Sequence, residues 1–303
     1  MPDNANNSPA ATHALCAANA QHISNPESAS NAEPTGHYPT ARPEKSHPVQ
    51  SNMNSNEQAR VQKQKIFIIG LPRTGTTSVS VALLELGFKV AHMAFTQESF
   101  MQADAVSDAP CFSDYRQLDT LFEGAKFIYL DRALEEWVPS MQMLLGKMLP
   151  HLDEKTGRFH PILKRSFNHV FSLSTAPSPI DIDHLSDCYQ RHKIQVHAYF
   201  AGRDDFLSIN ISHQDSFATM VAFLGITPQQ TAEEAQVSQS TAACAHSGIR
   251  MDNQTSDRQF PRLNIGRNVA SWDEYKHPNK ISSNAQGPAR RRFFDYKLDT
   301  DFV

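Results

Sequence analysis

Residues 65–78 read Lys65-Ile66-Phe67-Ile68-Ile69-Gly70-Leu71-Pro72-Arg73-Thr74-Gly75-Thr76-Thr77-Ser78, the order of a buried strand, a tight loop and the first turn of a helix. The apolar run 66–69 is short and rich in β-branched residues, as a parallel strand covered on both faces requires. Gly70 and Gly75 frame a loop in which backbone N–H groups can turn toward one point. The helix expected over residues 76–86 adds its unpaired first-turn donors and the positive end of its dipole. With Arg73 inside the loop and the hydroxyls of Thr74, Thr76, Thr77 and Ser78 around it, the stretch is a cradle for an anion such as phosphate or sulfate.

Working outward, Val79, Ala82, Leu83 and Leu86 recur at helical spacing, and Gly87 stands where a helix C-terminal cap belongs. Residues 89–92 read as a second strand. A helix ending at 118–122 leads into a third strand, 125–130, with Asp131 and Arg132 at its carboxyl end. Residues 134–149 predict a long amphipathic helix with Trp137, Met141, Leu144, Leu145 and Met148 on one stripe. A helix over 182–200, a strand over 206–211 and a helix over 217–224 before Gly225 complete the pattern. Strands alternating with helices predict an α/β, phosphate-loop-like three-layer fold, its central, mainly parallel sheet flanked by helices. Ligands are then expected outside the carboxyl ends of the strands.

The flanks differ in composition. Residues 1–60 are rich in Ala, Asn, Ser, Pro and His and poor in large aliphatic residues, so they cannot bury enough apolar surface to offset their ordering entropy and are expected to form a disordered tail. The scattered His13, His22, His37 and His47 read as solvated side chains rather than metal ligands. Residues 61–303 are assigned to one domain, with a polar insertion around 231–259. A net charge of −4 gives no global attraction to nucleic acid or to an anionic membrane. Cys16, Cys111, Cys188 and Cys244 lie far apart, without C-x-x-C or metal-site spacing, and are expected to be reduced. No apolar run approaches the ~20 residues of a membrane span. The start of the chain lacks the basic and apolar regions of a secretory signal, so a cytoplasmic location is expected.

The loop is close to the nucleotide-binding pattern G-x-x-x-x-G-K-[ST], but Thr76 stands where that pattern has Lys. A phosphoryl-transfer enzyme would thereby lose the cation that neutralises its β- and γ-phosphates. The cation is instead Arg73, two residues before Gly75, and the dinucleotide pattern G-x-G-x-x-G is absent. Residues 70–78 resemble the 5′-phosphosulfate loop of the sulfotransferases that use 3′-phosphoadenosine 5′-phosphosulfate (PAPS) as donor, in particular bacterial-type sulfotransferase domains. Arg132 after the third strand, with Ser140 eight residues on, is similar to the family's second element, and the resemblance implies that this pair binds the donor's 3′-phosphate. Tyr115, Leu118-Asp119, Gly124-Ala125-Lys126-Phe127 and Trp137 extend the likeness, which runs from Lys65 to about Gly225. Two departures stand out. Ser78 occupies the position where cytosolic members often stack a Trp on adenine, leaving Trp137 or Tyr129 as candidate rings. The late basic loop of the family has a loose counterpart in residues 262–267, with Arg267 as its candidate phosphate ligand.

The resemblance implies a sulfotransferase moving a sulfuryl group from PAPS to a hydroxyl or amine of a small-molecule, glycan or lipid acceptor, without a metal. Arg73 would bridge the leaving phosphate and the sulfuryl oxygens, where charge builds in the transition state. Thr74, Gly75, Thr76, Thr77 and Ser78 would hold the 5′-phosphate. Removal of the acceptor's proton calls for a base with a pKa near neutrality. His92, at the carboxyl end of the second strand, is the first candidate, with Asp108 and Glu98 as alternatives, while Asp131 is expected to orient its neighbours. Met141, Met143, Leu144, Leu145 and Met148 suit either an apolar acceptor pocket or core packing. Arg290-Arg291-Arg292 beside Phe293-Phe294 reads as a solvated basic turn or a contact for an acidic or lipid acceptor. A phosphate-loop kinase using ATP and a non-catalytic relative that binds nucleotide through the same cradle are the alternative readings.

Overall fold

The apolar run that opens the cradle forms β1 (Ile66–Ile68), every residue of which is buried. The computed structural model describes residues 64–226, 259–261 and 272–298 of the 303. The chain divides into two units, Met1–Gln62 and Lys63–Val303, and all described residues belong to the second. The expected tail, nearly all of the expected insertion around 231–259, Cys16, Cys244 and Arg267 lie outside the described residues.

β1 is the middle strand of a five-stranded sheet that also contains β2 (Val90–His92), β3 (Ala105–Ser107), β4 (Lys126–Leu130) and β5 (Phe206–Ile209). The order is β2-β3-β1-β4-β5 and every pairing is parallel, with Ile66 opposite Ala105 on one side and Lys126 on the other. The helices are α1 (Thr76–Glu85), α2 (Gln97–Gln102), α3 (Cys111–Leu121), α4 (Leu134–Leu152), α5 (Pro161–Phe171), α6 (Ile182–Tyr199) and α7 (Ser216–Leu224). The result is the predicted three-layer α/β fold.

Alternate residues of β1 point to opposite faces, as strand geometry dictates. Ile66 and Ile68 pack with Val79, Leu83, Phe217 and Met220 of α1 and α7, whereas Phe67 and Ile69 pack with Tyr115, Phe127, Tyr129 and Phe200 on the α3 and α6 side. A third apolar cluster, built around Trp137, Met141, Leu145, Phe167, Phe171 and Tyr189, joins α4, α5 and α6. It absorbs the α4 stripe: Met141 and Leu145 are in the core, Leu144 and Met148 pack against it, and Met143 is exposed.

The sequence reading missed three elements. β3 is only Ala-Val-Ser, with one large apolar side chain and no periodicity. It exists because β1 and β2 supply hydrogen bonds on both sides. α2 is one and a half turns long, capped by Thr96, whose hydroxyl accepts from Ser99 N–H. α5 did carry a readable pattern, with Pro161 in its first turn and Leu163, Phe167, Val170 and Phe171 on the buried face.

A late segment returns to the sheet beside β2. Val90 N–H donates to Asn279 O at 2.9 Å and Ile281 N–H donates to Val90 O at 2.8 Å. The Thr96 hydroxyl donates to Ala285 O at 2.7 Å and the Ser99 hydroxyl to Ser282 O at 2.9 Å, fixing the same segment against α2.

Candidate active site

The loop leaving β1 is held in shape by its own atoms. Thr74 Oγ1 donates to Leu71 O at 2.7 Å, and the Trp137 indole N–H, from α4, donates to Pro72 O at 2.8 Å. Gly70 is required because an added Cβ would lie 2.7 Å from both Leu130 Cβ and Thr74 Oγ1. Arg73 takes a left-handed backbone conformation at φ 72°, and Gly75 follows at φ 110°. Gly75 is the N-cap of α1 and offers no side chain to cap it, so the first-turn amides are left for an anion.

Arg73 and Arg132 converge on this turn. Arg132, just beyond the carboxyl end of β4, donates from Nη1 to Arg73 O at 2.8 Å. Arg73 Nε donates to Ser140 Oγ, one turn beyond Trp137 in α4, at 2.8 Å. The Arg132 backbone is tied to α6 in turn, since the Tyr189 hydroxyl accepts from Arg132 N–H at 2.9 Å and donates to Arg132 O at 2.6 Å. Asp131 accepts from Lys193 Nζ at 2.7 Å, and its Oδ1 lies 2.9 Å from the Tyr189 hydroxyl. Burial and the neighbouring Arg132 both push the Arg73 guanidinium below its usual pKa, while Asp108 opposes them. Two crowded cations beside an uncapped helix start are stabilised by any anion that settles between them.

On the other side of the loop, β3 brings up Asp108. Its backbone is left-handed at φ 57°, which turns the carboxylate back so that Oδ1 accepts from Ala109 N–H at 2.8 Å. Oδ2 accepts from Thr76 Oγ1 at 3.4 Å and lies 3.7 Å from His92 Nε2. His92 is one strand farther out than its position along the chain suggests, because β3 lies between β2 and β1. Its ring nevertheless reaches the loop, with Nε2 3.5 Å from Thr77 Oγ1 and Nδ1 2.7 Å from Ser107 Oγ. Burial lowers the His92 pKa, with Asp108 and Asp273 opposing and Lys280 assisting, so the ring is neutral at physiological pH. Beside it opens a cavity of about 310 Å³, lined by His92, Met93, Trp272, Lys280, Ile281 and Ser283 among others.

The structure thus gathers Arg73–Ser78, Arg132 and His92 at the carboxyl ends of β1, β4 and β2, with Ser140 reaching in from α4. It adds Asp108, previously one alternative among two. Glu98 belongs elsewhere: it sits on α2 with its carboxylate against Gly287 and accepts from Gln102 Nε2. Trp137 and Tyr129 offer adenine no free face, because both are fully buried and Trp137 is packed against Phe171 and Tyr189. Arg290, Arg291 and Arg292 are exposed, while Phe293 and Phe294 pack on Phe100. Ser107, Ser80 and the clamp from Trp137 gave no signal in the sequence, since each acts through a contact that only the folded sheet creates.

The family model of the sulfotransferase domain matches residues 65–99 and 94–240, more than half of the chain. The chain belongs to the sulfotransferase-domain family. Among curated proteins none matches it. The sulfotransferase domain accordingly spans the whole sheet, from β1 through β5, with its loop, Arg132 and Ser140. Membership makes the protein a transferase of sulfuryl groups in general terms. No helix among the described residues is long and apolar enough to cross a membrane.

Proposed function

We propose that this sulfotransferase uses PAPS and sulfates a hydroxyl or amine of a small acceptor. The observation that carries the reading is the meeting of Arg132 with the Arg73 backbone, which sets two guanidiniums beside the uncapped start of α1. That geometry suits a donor with two separated anionic groups. The amides and hydroxyls of Gly75–Ser78 hold the 5′ end, and Arg132 with Ser140 holds the 3′-phosphate. Arg73 faces the bond that breaks, where charge accumulates. The donor supplies the activated sulfuryl group; the protein supplies position, charge and a proton acceptor in His92.

With the donor's 3′-phosphate on the β4 side of β1, the acceptor approaches from the β3–β2 side, where His92, Asp108 and the cavity lie. A volume of about 310 Å³ is at the low end of ligand pockets, which run from about 300 to 1,000 Å³.

Isothermal calorimetry on the full chain tests the donor assignment. Adenosine 3′,5′-bisphosphate should bind, and adenosine 5′-monophosphate, which lacks the 3′-phosphate, should bind at least about tenfold more weakly, a difference of roughly 1.4 kcal/mol. Failure of folded protein to bind the bisphosphate would overturn the reading. Arg73→Ala should abolish transfer with little loss of stability.

A further inference from the structure

One placement of the protons around His92 gives each of the short contacts a donor and an acceptor, including Ser80 Oγ at 3.3 Å from His92 Nδ1. Ser80 Oγ lies 2.8 Å from Thr76 O, four residues earlier in α1. A carbonyl only accepts, so the Ser80 hydroxyl proton is committed there. Ser80 Oγ and Ser107 Oγ are 2.7 Å apart, and that contact must therefore use the Ser107 proton. Ser107 Oγ also lies 2.7 Å from His92 Nδ1 and, having given its proton to Ser80, can only accept from the ring. Ser80 and Ser107 are both fully buried, so water does not stand in for either partner.

We propose that Ser107 and Ser80 are positioning residues that hold His92 in the Nδ1–H tautomer and so leave Nε2 as a bare proton acceptor facing the phosphate loop. The chain runs from His92 Nδ1–H to Ser107, to Ser80 and on to the Thr76 carbonyl, ending on the same first turn of α1 that forms the cradle. Nε2 then looks toward Thr77 Oγ1 at 3.5 Å and Asp108 Oδ2 at 3.7 Å. The tautomer assignment is argued from hydrogen-bond geometry alone, whereas its catalytic use rests on the sulfuryl-transfer reading. In that use the acceptor's O–H or N–H bond breaks and its proton goes to Nε2. The acceptor atom bonds to sulfur, and the bond from sulfur to the donor's 5′-phosphate oxygen breaks, releasing adenosine 3′,5′-bisphosphate. The new Nε2–H faces the Asp108 carboxylate, which stabilises the imidazolium. The other charged groups around the ring are Asp273 and Lys280, of opposite sign.

Long-range ¹H–¹⁵N correlation of the ¹⁵N-histidine-labelled full chain reads the tautomer directly, with His92 assigned by its loss in His92→Gln. The expected spectrum at pH 7.5 shows Nδ1 protonated and Nε2 unprotonated. In the Ser80→Ala/Ser107→Ala double variant the preference should be lost or reversed, while Ser107→Thr, which keeps the hydroxyl, should preserve it. Steady-state kinetics of the double variant should show kcat reduced about tenfold or more with the KM for donor unchanged. Nε2–H in the wild-type protein overturns the proposal whatever the variants do, and so does a double variant that switches tautomer without losing kcat. Absence of donor binding would defeat the PAPS assignment but leave the tautomer result standing, so the two failures are distinguishable.

Discussion

Gly75 shows how much of the site rests on single backbone angles. It carries φ 110°, a conformation that costs any residue with a Cβ, and that Cβ would lie 2.2 Å from Ile211 Cδ1. Gly75→Ala should therefore destabilise the fold by about 1–3 kcal/mol, measured by urea denaturation. Adding Ile211→Ala should relieve the clash yet leave the angular strain, so recovery should be partial; full recovery would show that the collision alone matters. This glycine, like Arg73 and the threonines beside it, was legible because a strand, a loop and a helix start are written in adjacent residues. Asp108 was only half legible: its residue type fits a proton-handling role, but nothing near it in the chain says that it lies beside Thr76. Ser107 and Ser80 were silent, because a serine declares a hydrogen-bonding role only when its neighbours in space are known.

At the scale of elements, α4 is a clamp as well as a wall. Its Trp137 fills the third apolar cluster and also holds the loop through Pro72 O, while Ser140 engages Arg73. Trp137→Phe should keep most of the packing but lose the indole hydrogen bond, costing about 1 kcal/mol of stability for the bond and somewhat more if Pro72 O is left dry. The affinity for adenosine 3′,5′-bisphosphate should fall several-fold by calorimetry, because the loop is less fixed before binding. An unchanged affinity would confine Trp137 to packing. The sequence displayed α4, α6 and the strands β1, β2, β4 and β5 through period and bounding glycines. It hid β3, whose three residues are too few to show alternation and whose existence depends on partners from both sides. That omission hides the strand that separates His92 from the loop strand and that carries Asp108 to the loop.

For the molecule as a whole, pH acts through buried imidazoles. His192 is almost wholly buried, donates through Nε2 to Phe112 O at 2.8 Å, and burial pushes its pKa down to about 4. Between its ordinary value of about 6.5 and 4 the unfolded chain binds a proton that the folded chain does not. Stability is thus complete above pH 6.5 and is lost as the pH falls toward 4, by up to roughly 3 kcal/mol at about 1.36 kcal/mol per pKa unit. His92 acts in the same direction. Thermal melts from pH 7.5 to 4 should show Tm falling across this window, and His192→Gln should flatten the fall; an unchanged slope would assign the acid sensitivity elsewhere. Finally, the segment that pairs with Val90 has a bearing on how the protein is made. Asn279 Nδ2 reaches Gly87 O across 192 residues of chain, so the outer rim of β2 stays unsatisfied until nearly the whole domain has been synthesised. A nascent chain stalled before that point would present a bare strand to its neighbours, a template for association between chains that the finished molecule covers with its own backbone.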